Sequence, residues 1–193
     1  MNNLPKLLLK ISPMAIIISK GLAFFYVICA IFLITQGMYL NAFFSLVLAL
    51  VFVLMVFLNK ISQFAQNKVK KIATVLSSLK DLKLEKTEEN KSKIILFLFN
   101  LDLVSFKSTN KTINEVFWFK KNHRPYSDLV ERIVDSFLAK TLTEEYISLS
   151  ESEVSLIERE KTLLNLSLLE INAKIREDAE MDKISEDTLI RFK

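Results

Sequence analysis

Residues 41–58, NAFFSLVLALVFVLMVFL, decide the architecture of this chain. Thirteen of these residues are Leu, Val or Phe, and none is charged. A helix of this length extends about 27 Å, close to the hydrocarbon thickness of a bilayer. The composition favours insertion by about 4 to 8 kcal/mol. The stretch therefore predicts a transmembrane helix.

A second apolar stretch, at about residues 14–35, precedes it. Pro13 suits the first turn of a helix, and residues 21–59 carry no charge at all. The uncharged segment 36–41 is typical of a turn, so residues 1–59 are predicted to form a two-helix transmembrane hairpin. A cleaved signal peptide is the alternative. The length of the run, the lack of a small-residue cleavage pattern and the second apolar stretch disfavour it.

Lysines flank both ends of this hairpin, while its turn is uncharged. They are Lys6, Lys10 and Lys20 on one side and Lys60, Lys68, Lys70 and Lys71 on the other. By the positive-inside rule, both termini are expected in the cytoplasm. A sequence pI near 9.0 could indicate nucleic-acid binding. Because Lys60, Lys68, Lys70 and Lys71 directly follow an apolar helix, we favour attraction to anionic lipid headgroups instead.

Residues 60–93 are predicted to form a cytoplasmic stalk helix and a linker. Apolar residues recur at spacings of three and four from Ile61 to Leu82, which continues the second span as a helix. Residues 85–93 contain no apolar side chain and are typical of a solvated linker. The apolar stripe needs a partner, either the chain's own C-terminal helix or another copy of the chain.

Residues 94–193 are predicted to form a small, mainly helical α+β cytoplasmic domain with a sensing or interaction role. Residues 94–99, IILFLF, are too short to span a membrane and favour a buried strand, with a buried helix as the alternative. Residues 116–119, VFWF, are predicted to form a second strand that pairs with the first.

A basic and aromatic segment follows the second predicted strand. Cationic side chains neutralise phosphate and aromatic rings stack on bases, so the segment is the candidate ligand site. Its predicted members are Trp118, Lys120, Lys121, His123, Arg124 and Tyr126. The alternative is a solvated loop ahead of a helix that Ser127 caps, with Asp128 in its first turn.

The last third of the chain is predicted to be helical and acidic. Ser150 and Glu153 have the spacing of a capping box. The apolar residues that follow have the spacing of a heptad seam, which indicates a coiled-coil-like helix within a bundle or between copies. They are Val154, Ile157, Leu164, Leu168, Ile171 and Ile175.

The composition disfavours an enzyme. The two glycines, Gly21 and Gly37, both lie in the apolar region, so no glycine-rich phosphate loop exists. The single cysteine, Cys29, and the single histidine, His123, leave no thiol dyad and no zinc site. We expect no catalytic residues, no metal and no cofactor.

In outline, the order of hairpin (residues 14–58), stalk (residues 61–82) and basic aromatic segment (residues 118–126) resembles the two-span membrane effectors of bacterial antiviral defence, such as those gated by cyclic oligoadenylates in type III CRISPR systems. The resemblance implies a homo-oligomer in the bacterial inner membrane. Its cytoplasmic domain would sense a cyclic oligonucleotide, and it would bind no duplex nucleic acid.

A structural role is the alternative hypothesis. A membrane-anchored scaffold or assembly subunit of an envelope complex would bind a protein partner through the helices at residues 61–82 and 154–175. It would tolerate charge reversal in the basic segment but not polar substitution at Leu164 and Leu168.

Overall fold

A computed structural model describes residues 13–142 and 146–192, with only the backbone given for residues 13–15. The described chain is mostly helical and divides into two compact units, Met1–Gln66 and Asn67–Lys193. Lys6 and Lys10, on which part of the predicted topology depends, lie outside the described residues.

The first unit contains two long apolar helices, as predicted. Helix α1 is Pro13–Thr35, and helix α2, Tyr39–Ser77, begins in this unit. A short turn at Gly37, with a φ of 75°, joins them. Both helices are long and apolar enough to span a membrane, and only 11 % of each apolar window is buried.

An aromatic pair joins these two helices: the ring of Tyr26 on α1 stacks on that of Phe52 on α2 with centroids 5.9 Å apart. Ala30, Ala42 and Ala49 are buried. The remaining Phe, Leu, Ile and Val side chains point mostly outward.

The second unit is built around helix α3, Glu88–Thr109. The predicted strand at residues 94–99 is wrong, because these residues lie inside this helix, as the alternative had it. Thr87 caps its N-terminus by accepting a hydrogen bond from the backbone of Asn90, so the predicted linker 85–93 already contains the helix start. Residues 96–103 are all buried, and a helix that is apolar on every side shows no helical periodicity.

Three further helices pack against α3: α4, Asp128–Leu138; α5, Glu151–Glu160; and α6, Leu168–Asp178. The last turns of α2 complete the core through Ile72, Val75 and Leu76, together with Leu79 just after the helix. The stalk stripe is therefore covered by its own chain from Ile72 to Leu79, whereas Ile61 and Phe64 are exposed. Helix α2 ends at Ser77, before a short 3-10 turn at Lys80–Leu82.

The predicted continuous helix of the last third is broken. The capping box of Ser150 and Glu153 is confirmed, but α5 ends at Glu160 and a 3-10 turn at Lys161–Asn165 follows. A second capping box, Ser167 with Glu170, then starts α6. Ile157, Leu164, Ile171 and Ile175 are buried as the apolar spacing indicated, in the core of the same chain.

The two strands form a hairpin rather than pairing with residues 94–99. Strand β1 is Phe119–Lys121 and strand β2 is Arg124–Tyr126, in antiparallel register. Asn122 and His123 at the turn have φ values of 51° and 60°, which is the geometry of a tight hairpin turn. The C-terminal segment lies along the other edge of β1, where Ile190 N–H donates to the Trp118 carbonyl at 2.7 Å.

Candidate functional site

The predicted ligand residues lie on a ribbon with two faces. Residues 116–121 alternate strictly between buried and exposed positions, as side chains of an extended chain do. Trp118 and Lys120 face the core and are 1 % and 5 % exposed. Lys121, His123 and Arg124 are exposed. The structure therefore divides the predicted set between the core and the surface.

Trp118 has no free face for a ligand. Its indole Nε1 donates a 2.8 Å hydrogen bond to Oδ2 of Asp102, and its ring packs edge-on against Phe99. Oδ1 of Asp102 accepts the backbone N–H of Asn114 at 2.7 Å. Burial raises the pKa of Asp102 to about 6, although the hydrogen bonds from Asn114 and Trp118 act to lower it. Trp118 therefore has a structural role, because it connects the segment before β1 to helix α3 in the core.

The positive charge of Lys120 is used inside the chain. Its Nζ donates to the carbonyl of Ile184 at 2.8 Å and lies 3.5 Å from Oε1 of Glu186. The same carboxylate accepts the backbone N–H of His123 and lies 3.2 Å from its Nδ1. Lys120 and His123 therefore tie the hairpin to the C-terminal segment.

The remaining predicted residues stay at the surface. Nζ of Lys121 lies 4.6 Å from the centre of the Tyr126 ring. The hydroxyl of Tyr126 donates to the carboxylate of Asp128, and this hydrogen bond raises the pKa of Tyr126 to about 12. The outer face of the hairpin is thus basic and aromatic, and the groove beside it, of about 230 Å³, is small.

A different place in the second unit has the form of a ligand pocket. We call it the lysine-rimmed pocket; its volume is about 770 Å³, within the range of about 300 to 1,000 Å³ common for small-molecule sites. Its apolar lining is Ala73, Leu79, Leu84, Phe137, Leu138 and Leu142. Four lysines lie at its rim: Lys80, Lys83, Lys86 and Lys140.

Among the described residues, the lining of this pocket carries more positive than negative charge. Glu85 is the single carboxylate among the described residues that line it. None of the four lysines forms an ion pair with a described residue. An unpaired cluster of ammonium groups beside an apolar surface attracts an anion with an apolar or aromatic body.

Two of these lysines have unusual backbone conformations. Lys83 follows the 3-10 turn with a φ of 46°, and Lys140 follows α4 with a φ of 56°. Helices commonly end in this left-handed conformation, but usually with Gly or Asn, because a side chain costs about 1 to 2 kcal/mol there. Both positions thus keep a lysine where glycine would be more favourable for folding.

Tyr146 contributes an aromatic ring to the same pocket. Nζ of Lys80 donates to its hydroxyl at 2.8 Å and lies 5.0 Å from the ring centre. The next residue, Ile147, donates its backbone N–H to Oγ1 of Thr74 on α2 at 2.9 Å. The pocket is therefore assembled from the end of α2, the segment after it, the end of α4 and the segment before α5.

A second cleft, of about 810 Å³, is less suited to an anion. Lys71 on its wall lies 3.0 Å from Glu153 and 3.7 Å from Glu115, so its charge is already matched. Burial acts to raise the pKa of Glu153, but the Ser150 hydrogen bonds and the Lys71 ammonium lower it overall. Of the three described cations that line this cleft, Lys71 and Arg159 are paired with carboxylates, and Lys111 forms no ion pair with a described residue.

Reasoning from the sequence missed the lysine-rimmed pocket. Lys80, Lys83 and Lys86 recur every third residue directly after an apolar helix, and this was the available signal. Their partners Phe137, Lys140 and Tyr146 are more than 50 residues away, and nothing local connects the two groups. In the described part of the chain, no group of three His, Cys, Asp or Glu could hold a metal ion.

Compared with known proteins, the chain matches no family model, no curated protein and no solved structure. Any functional conclusion therefore rests on the chemistry of its own residues.

Proposed function

We propose that the chain is a membrane-anchored sensor and effector, non-enzymatic, whose C-terminal unit binds a small amphipathic anion in the lysine-rimmed pocket. The observation that carries this is the pocket itself, in which four lysines that form no ion pair with a described residue lie beside an apolar floor. Cyclic oligonucleotides combine phosphates with aromatic bases, and they are the first ligand class to test. A role in antiviral defence would follow from such a ligand.

Membrane anchoring is supported by the exposure of the apolar helices. The core helix of a soluble protein buries most of its apolar surface, whereas 89 % of each apolar window of α1 and α2 is left unburied. Exposing so large an apolar surface to water is unfavourable, whereas contact between this surface and lipid is favourable. The lysine distribution supports a cytoplasmic C-terminal unit on the inner membrane.

Helix α2 is the element through which a ligand could act on the membrane. Ala73 and Ser77 line the pocket, and the same helix contains the apolar stretch at residues 41–58. A ligand that binds two conformations of the C-terminal unit unequally shifts their populations. Because two helices cannot enclose an aqueous path, any permeation would require several copies of the hairpin.

The scaffold alternative has less support. It assigned partner binding to the apolar stripes at residues 61–82 and 154–175. Most of those side chains, including Val75, Leu79, Leu164 and Ile171, lie in the chain's own core. The buried part of each stripe therefore has its partner within the same chain, whereas the pocket lysines form no ion pair with a described residue.

The test is isothermal calorimetry on the full chain in detergent micelles, with cyclic oligoadenylates of different ring size as ligands. We expect salt-sensitive binding that Lys83→Gly and Lys140→Gly each weaken by about tenfold or more, as loss of a charge-assisted hydrogen bond does. Lys121→Gln and Arg124→Gln on the hairpin are the matched charge controls and should leave the affinity unchanged.

Two results would overturn the proposal. Loss of binding in the hairpin variants but not in the pocket variants would move the site to the predicted segment. No binding of any cyclic oligonucleotide, mononucleotide or acyl phosphate would remove the sensor role and favour the scaffold.

A further inference from the structure

The exposed face of the hairpin is not explained by the lysine-rimmed pocket. Phe117 and Phe119 alternate with core residues and are 67 % and 41 % exposed, and Lys121 continues the same face. Large exposed aromatic side chains grouped on one face indicate an interaction surface.

The second strand extends this face. In the register of the hairpin, Tyr126 lies opposite Phe119 and Arg124 lies opposite Lys121. Residues directly opposite in an antiparallel pair project to the same side. The opposite side, with Trp118, Lys120 and Pro125, is buried. The strand geometry therefore places aromatic and cationic side chains together on the outer side of the hairpin.

Helices α2 and α4 add cations beside the strands. Nζ of Lys68 lies 5.2 Å from the centre of the Phe117 ring. Arg132 lines a shallow groove of about 230 Å³ together with Lys68, Phe117 and Phe119. Asp128 is the one carboxylate among the described residues of that groove, and it already accepts a hydrogen bond from the Tyr126 hydroxyl.

We propose that this aromatic–basic face, formed by Phe117, Phe119, Tyr126, Lys121, Arg124 and Arg132, binds the surface of an anionic lipid bilayer. Aromatic side chains favour the headgroup level, and cations are attracted to anionic lipid. Lys121, Arg124 and Arg132 form no ion pair with a described residue, so their charge is available for headgroups.

The position of the face in the sequence also points to lipid. Lys68, whose ammonium lies against Phe117, follows the apolar segment of α2 by only ten residues in the sequence. The inference rests on the membrane anchoring in the proposed function, but not on the lysine-rimmed pocket. Single-stranded RNA also favours aromatic and basic surfaces, and it is an outcome of the test.

The test measures the depth of a spin label in the full chain. The label is attached to Phe117→Cys in a Cys29→Ala background, and the chain is reconstituted in phosphatidylcholine vesicles with or without phosphatidylglycerol. Collision with oxygen reports apolar surroundings, and collision with a water-soluble nickel chelate reports water. Leu169→Cys on α6, where the native side chain is 81 % exposed, is the matched control.

With phosphatidylglycerol, we expect the label at position 117 to gain oxygen contact and lose nickel contact, while the label at 169 stays in water. Replacing Lys121, Arg124 and Arg132 together by Gln should lower the ratio of docked to undocked chain by about a hundredfold, since each cation near an anionic surface contributes about fivefold.

A label at 117 that is as exposed to nickel as the label at 169 would overturn the inference. So would protection at 117 by a single-stranded oligonucleotide in neutral vesicles, without protection by phosphatidylglycerol. Flotation of the chain with the vesicles is scored separately, because failure to float would refute the membrane anchoring itself.

Discussion

The indole Nε1 of Trp118 donates to the buried carboxylate of Asp102 at 2.8 Å, and this bond joins the hairpin to the central helix α3. Trp118, which was predicted to belong to the ligand segment, is therefore buried and hydrogen-bonded within the fold. Both side chains are buried, so neither can replace this hydrogen bond by one to water unless the unit unfolds.

The first prediction concerns this bond. Trp118→Phe keeps an aromatic ring but leaves Oδ2 of Asp102 without its donor, and we expect the free energy of unfolding to fall by about 1 to 3 kcal/mol. Circular dichroism of the full chain in detergent measures it. Ligand affinity should not change; a tenfold loss of affinity at unchanged stability would restore Trp118 to the ligand site.

The second prediction is a pH dependence of stability. Because burial raises the pKa of Asp102 from 3.8 to about 6, the folded chain binds this proton at a higher pH than the unfolded chain. The contribution to stability is therefore complete below about pH 4 and is lost as the pH rises to about 6, with a size on the order of 3 kcal/mol.

Asp102→Asn does not titrate, so the stability of the native chain relative to this variant should decline between about pH 4 and pH 6 and stay constant above. Fluorescence of Trp118, the only tryptophan, follows the unfolding of the C-terminal unit. A relative stability that instead rises over this interval would contradict the raised pKa.

The third prediction separates folding from binding in the pocket. Lys83→Gly and Lys140→Gly should each raise the free energy of unfolding, by up to about 1 kcal/mol, because glycine adopts a positive φ without steric cost. The same variants should bind the anion more weakly. Glu180→Gly, at a φ of 49° outside the pocket, is the backbone control and should change stability only.

The fourth prediction concerns the former heptad seam. Leu164→Ala should cost about 2 to 5 kcal/mol, because Leu164 is part of the core cluster of its own chain. Leu169→Ala, at an exposed position of α6, should cost little. Thermal unfolding compares them. If Leu164→Ala left stability unchanged but dissociated an oligomer, the seam would lie between copies.

The sequence by itself determined the features that depend on neighbouring residues. The apolar helices follow from runs of Leu, Val and Phe, since the hydrophobic content of a single segment sets its preference for lipid. The capping box at Ser150 follows from contacts within one turn. Ser127 stands at the N-cap position of α4 as predicted, but its side chain makes no capping hydrogen bond. Membrane insertion and topology remain predictions from the same local patterns.

The predictions from sequence failed where side chains are buried on every side, or where the contacting residues are far apart in the chain. Residues 94–99 carry β-forming side chains, but the cap at Thr87 and packing on every side keep them in α3. Only the tertiary structure decided that Lys80 meets Tyr146, 66 residues away, and that Trp118 points inward while Phe117 points outward. The reason is that composition sets local preference, whereas the convergence of distant side chains depends on how the helices pack around α3.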